Sequence, residues 1–187
     1  MAVTKKFRTS LTTVSQPAES ERFVPAWWCH GPYLQTCWQT LARRCPKVAL
    51  KRERLELPDG DFLDLDWTAA ITRGPLVIIL HGLAGSVESK YVLGILEALA
   101  KHGYRGVALN FRGCSGEPNR LTRGYHAGET QDLAYVIKTL RAREPHTPIA
   151  VIGFSLGGNA LLKWLGETRQ NTISAAVAVS IPFVLAD

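Results

Sequence analysis

The stretch that decides the fold is Ala150–Glu167, AVIGFSLGGNALLKWLGE. A short apolar run enters the pentad Gly153-Phe154-Ser155-Leu156-Gly157, and a helix-like segment leaves it. A strand, a Gly-x-Ser-x-Gly turn and a helix together present a serine hydroxyl on a strained turn. Gly153 and Gly157 lack the Cβ atoms that would clash across such a reversal. The new helix brings its amino-terminal N–H groups and positive dipole end to the serine. The backbone N–H of Leu156 is then a donor for a developing oxyanion. Ser155 is the candidate nucleophile.

Outward from this turn, the pattern repeats. PLVIIL from Pro75 is a continuous β-branched apolar run, as a strand buried on both faces requires. Val92, Ile95, Leu96 and Leu99 recur at i, i+3, i+4, i+7 and predict a helix that Gly103 stops. RGVALNF is a second buried strand, and Leu133, Val136, Ile137 and Leu140 mark a second helix. PIAVIGF leads into Ser155, GGNALLKWLGE is a third helix, and ISAAVAVSIPF is a fourth core strand. Upstream, RLELPDGDFLDLDW reads as a β-hairpin around Pro58-Asp59-Gly60, with Asp64 and Asp66 on one wet face. A hairpin followed by strand–helix units predicts an α/β domain, its sheet mostly parallel with an antiparallel amino-terminal edge.

In such a sheet, chemistry gathers at the carboxyl ends of the strands. The loop after the first buried strand, ILHGLAGS, suits the second oxyanion donor. Gly82 permits close backbone approach, Leu83 supplies the N–H, and His81 is read as a structural member of the loop. Cys114 and Ser115 shape the next loop. Arg112, Glu117 and Arg120 form an internal ion-pair network or read a substrate's polar group. Glu129 and Asp132 sit in the first turn of a helix, where the dipole favours them. His126 precedes them, with nothing pairing it to Ser155.

Bulk properties narrow the function classes. The chain has 187 residues, 46% of them hydrophobic and 20% charged, with a formal net charge of +6. The excess lies in residues 1–54, which hold 10 Lys+Arg against 3 Asp+Glu. A basic tail rather than a basic domain face argues against nucleic-acid binding and allows weak contact with a membrane surface. No apolar run of transmembrane length occurs, and no export signal is visible. Cys29, Cys37, Cys45 and Cys114 form no CxxC pair, so no metal is expected, and reduced thiols in the cytoplasm follow. Residues 1–22 read as a disordered basic tail and 23–54 as an aromatic arm packing on the domain. Residues 55–187 form the core.

Several strings together resemble one family. LELPDGDFLDLDW, HGLAGS, NFRGCSGEPNR, YHAGETQDL and GFSLGGNALLKWLGE, with YLQT at Tyr33–Thr36, resemble the AB hydrolase 4 family of the AB hydrolase superfamily, the YheT-like esterases, in its amino-terminal portion only. The resemblance covers about residues 23–187. It implies an α/β-hydrolase fold and a cofactor-free carboxylic-ester hydrolase with a Ser–Asp–His relay, acting on a small-molecule or lipid ester. Ser155 matches the family nucleophile. The family's acid and histidine lie further downstream than this sequence runs. Of the acidic residues after Ser155 only Asp187, which follows a strand, could serve as the acid, and no histidine follows. The core is therefore expected to be incomplete, ending after the strand near Phe183 with an exposed apolar edge. The alternative is a truncated, catalytically inactive remnant with a binding role.

Overall fold

The computed structural model describes residues 24–42, 44–69, 73–168 and 172–183. The expectations for the basic tail and for Asp187 lie outside these residues. The chain divides into two compact units, 1–42 and 43–187.

In the first unit, helix α1 spans Pro32–Ala42. Trp28 and Trp38 meet with ring centroids 4.5 Å apart, and the Gln35 amide donates to the Cys29 carbonyl at 2.9 Å.

The second unit is built on a six-stranded sheet. Its elements are β1 (Leu50–Glu56), β2 (Phe62–Thr68), β3 (Leu76–Leu80), α2 (Lys90–Lys101), β4 (Arg105–Asn110), α3 (Gln131–Arg143), β5 (Ile149–Phe154), α4 (Leu156–Glu167) and β6 (Ala175–Val179). The strand order is β1-β2-β4-β3-β5-β6. β1, β2 and β4 pair antiparallel, while β4, β3, β5 and β6 run parallel. β3 leads through α2 to β4 on one side, while its neighbour β5 leads through α4 to β6 on the other. That reversal opens a crevice at the carboxyl ends of β3 and β5, where open α/β sheets bind their ligands.

Alternate side chains of β3 serve two cores. Leu76, Ile78 and Leu80 pack with Leu133, Val136, Ile137, Leu161 and Trp164 of α3 and α4. Ile79 packs with Val92 and Leu96 of α2 on the other face. Both faces are thus covered, which is why β3 needs an unbroken apolar sequence. Gly103 ends α2 as expected, with φ +76°.

Two expectations are corrected. The acidic face of the hairpin is polar but not wet. Asp64 and Asp66 are only 1% and 3% exposed. β2 is an interior strand, so its polar face lies under neighbours on both sides. In the β1–β2 register Arg52 stands opposite Asp66 and Arg54 opposite Asp64. Each arginine grips its aspartate with two nitrogens, at 3.0 and 2.9 Å for Asp66 and 2.9 Å twice for Asp64. The Asn110 amide of β4 also donates to Asp66, at 2.7 Å. Burial alone would raise the Asp64 pKa, but the bonds from Arg54 and Ser115 outweigh it and hold it low. Second, the last strand, β6, is not buried like the other parallel strands and ends at Val179 rather than near Phe183, while its exposed apolar edge is as expected. It pairs with β5 on one side and forms the sheet edge, with Ala175, Ala176 and Val177 exposed.

Candidate active site

The sequence around Ser155 makes a turn that only small residues permit. A Cβ on Gly153 would lie 2.5 Å from the Gly157 carbonyl oxygen, and one on Gly157 would lie 2.5 Å from the His81 oxygen. Backbone occupies both spaces, so α4 can spring from β5 and cross β3 only with glycine at both positions. Ser155 itself takes φ 49° and ψ −117°, a left-handed conformation costly for a side-chain-bearing residue. It is held there from both sides. Its N–H donates to the Val179 carbonyl at 2.8 Å, and its carbonyl accepts from the Asn159 N–H at 3.1 Å.

Ser155 immediately precedes α4, whose first-turn amides have no intrahelical partners. That leaves the Leu156 N–H as a donor at the foot of the hydroxyl. Across from it runs the loop after β3. A Cβ on Gly82 would sit 3.3 Å from the Ser155 Cβ, so the absent side chain is what lets this backbone reach the serine. Gly82, Leu83, Tyr91, Phe154, Ser155, Val179 and Ser180 line a mainly apolar pocket of about 320 Å³. Gly82, Leu83 and Ser155 thus line one pocket, with Gly153 and Gly157 flanking the serine turn and Leu156 at the first position of α4.

The amides of this loop differ in their partners. The Gly82 N–H donates to the Tyr91 hydroxyl at 2.9 Å, the Ala84 N–H to the Tyr125 hydroxyl at 2.8 Å, and the Gly85 N–H to the Gly82 carbonyl at 3.1 Å. Of the amides 82–85, only that of Leu83 has no partner among the described residues. Neither tyrosine stands out in the sequence. Tyr91 looks like part of the apolar helix, and Tyr125 belongs to a loop without periodic pattern.

A family model described as alpha/beta hydrolase fold matches residues 75–187. The chain belongs to the alpha/beta hydrolase family. It is 43% identical over 178 residues to the Escherichia coli protein named "Putative esterase YheT", covering 93% of this chain and 52% of that protein. It is 31% identical over 175 residues to human Phospholipase ABHD3, covering 88% of this chain and 42% of that protein. The Pyrococcus furiosus esterase Pf2001 superposes with a TM-score of 0.62 at 29% identity, covering 74% of this chain and 53% of that one. The chain spans about half the length of these relatives.

The other histidines and ionisable residues singled out in the sequence of this alpha/beta hydrolase make structural contacts among the described residues. His81 is 1% exposed. Its Nε2 accepts the Phe111 N–H at 3.1 Å, so Nδ1 carries the proton and donates to the Gly82 carbonyl at 2.7 Å. Burial lowers its pKa and keeps the ring neutral. His126 Nδ1 accepts the Gly128 N–H at 3.1 Å, and His102 Nδ1 meets the Ala98 carbonyl at 2.8 Å. Among the described residues no histidine is hydrogen-bonded to Ser155.

Arg112, whose role the sequence left open, is an internal ion-pair residue. It forks onto Asp132 at 2.8 and 2.7 Å and reaches Asp61 at 2.9 Å and Asp59 at 2.8 Å. Arg120 pairs with Glu56, and Glu117 with Arg54. Asp132 therefore does more than open α3, since it anchors Arg112. Glu129 lies just before α3 rather than in its first turn, and accepts the Gln131 N–H at 2.9 Å from there. Burial raises the Cys114 thiol pKa, as suits a packed loop residue rather than a nucleophile. Among the described residues no helix is long and apolar enough to cross a membrane.

Proposed function

We propose that this alpha/beta hydrolase carries the nucleophile and oxyanion site of a carboxylic-ester hydrolase acting on a small-molecule or lipid ester. One observation carries the proposal. Ser155, at positive φ and directly before Leu156, lines an apolar pocket with Leu83, whose amide has no partner among the described residues. The names of its relatives, an esterase and a phospholipase, support ester chemistry.

In the reaction, the Ser155 Oγ forms a bond to the ester carbonyl carbon, and the π electrons move to the carbonyl oxygen. The Leu83 and Leu156 amides donate to that oxyanion. The serine proton passes to a general base and then to the departing alkoxide. Water attacks the acyl-serine and releases the acid. The free cysteines fit a reducing, cytoplasmic compartment.

A binding role without turnover is the second reading, favoured by the lack of a histidine bond to Ser155 among the described residues. A fluorophosphonate probe separates the two. The expected result is labelling of Ser155 in this chain, lost in Ser155→Ala, with the Escherichia coli relative labelled alongside. A labelled relative beside an unlabelled Ser155 would overturn the catalytic proposal and leave binding.

A further inference from the structure

We infer that the hydroxyls of Tyr91 and Tyr125 are positioning groups that aim the Leu83 amide at the oxyanion, an inference that rests on the assignment of Ser155 as nucleophile.

The two tyrosines flank Leu83 in the hydrogen-bond pattern. Tyr91 takes the amide immediately before it, that of Gly82, and Tyr125 takes the amide immediately after it, that of Ala84. The Gly82–Gly85 turn is closed by its own bond of 3.1 Å, with Ala84 at φ +52°. Three amides are thereby tied and the fourth is left for a ligand. A flexible glycine-rich loop would otherwise sample many amide directions. A donor contributes to catalysis only if it already points at the place where charge develops.

Each tyrosine refers the loop to a different wall of the site. The Tyr91 ring packs on Phe154, the residue before the nucleophile, with centroids 4.9 Å apart. Tyr91 therefore measures the Gly82–Leu83 backbone against the serine turn itself. The Tyr125 ring stacks on Phe111 at 5.2 Å and 6°. The Phe111 amide in turn donates to His81, whose other nitrogen binds the Gly82 carbonyl. Tyr125 thus ties the far end of the loop to the end of β4. The Tyr91 oxygen would lie 2.9 Å from a Cβ on Gly85, so this contact also sets which residue the loop can carry there.

The test uses the 187-residue chain and reads the reactivity of Ser155 directly. Labelling by a fluorophosphonate is followed by intact mass over a range of probe concentrations, giving kinact and KI separately. Tyr91→Phe and Tyr125→Phe keep both ring stacks and remove only the hydroxyl. Each lowers kinact about tenfold, with KI and Tm close to those of the unmodified chain, and the double variant loses about 100-fold. Tyr104→Phe, at the opposite end of β4, labels at the unmodified rate. If both single variants keep the unmodified kinact, or lose it only in step with Tm, the positioning role is overturned and Ser155 stands. If the unmodified chain labels no faster than Ser155→Ala, the Ser155 assignment falls and this inference falls with it.

Discussion

Two polar regions of the 43–187 unit are built to opposite rules. Around the β1–β2 hairpin, buried charge is fully matched. The carboxylate of Asp61, 0% exposed, accepts from the amides of Phe62 and Arg120, the Asn119 side chain and Arg112. Burial alone would raise its pKa, yet these four bonds outweigh it and hold the group ionised. At the crevice beyond β3 and β5 the opposite holds. The Leu83 amide has no partner among the described residues, Ser155 sits in a costly backbone region, and apolar walls stand around them. A saturated cluster has nothing left to offer a substrate, so it holds structure. A pocket with preset donors and strain has capacity to spare, so it is where chemistry is sought.

The contrast can be broken from either side. The largest effect is expected from Arg112→Met. It removes the cation from two buried carboxylates, Asp61 and Asp132, and costs about 4 kcal/mol in urea unfolding, by analogy with other broken buried pairs. A loss below about 1 kcal/mol would mean that the cluster is not the unit's internal clamp.

Gly157→Ala comes next. The added methyl meets backbone rather than a yielding side chain, so about 3 kcal/mol of stability is expected to go, together with Ser155 labelling. Calorimetry and the fluorophosphonate probe read both losses. Unchanged stability would show that α4 leaves β5 by another path.

The smallest and most gradual effect is with pH. Asp59, Asp61, Asp64 and Glu129 all have lowered pKa values in the fold. Groups with depressed pKa values stabilise above their unfolded-state values and lose that contribution as pH falls through the folded ones. The urea midpoint is thus expected to hold near neutrality and to drop below the ordinary aspartate value of 3.8. His81 adds an earlier decline in the same direction. It is neutral when folded, so its contribution is full above 6.5 and weakens as pH falls from there. In Arg112→Met the acid limb softens, because protonation then relieves unpaired Asp61 and Asp132.

What the sequence made legible was local. The parallel strands, the three helices of the hydrolase unit and the Ser155 turn all depend on residues a few positions apart, and periodicity and glycine spacing report on such neighbours directly. The burial of Asp64 and Asp66 was not legible. Alternation says that a strand has two different faces, but not whether water or another strand covers the polar one. Tyr91 and Tyr125 were missed because their function lies in which amides they meet, and those partners are 9 and 41 residues away in the chain.

The sequence by itself determined that a serine would be presented on a glycine-flanked strand–helix turn beside the His81–Leu83 loop. A positive φ and a backbone crossing impose their requirements on the residues at the crossing. Only the tertiary structure decided which donors remain for a substrate and which charges are spent internally. Hydrogen-bond capacity is used up by partners brought together through folding, and nothing in the order of residues along the chain records that balance.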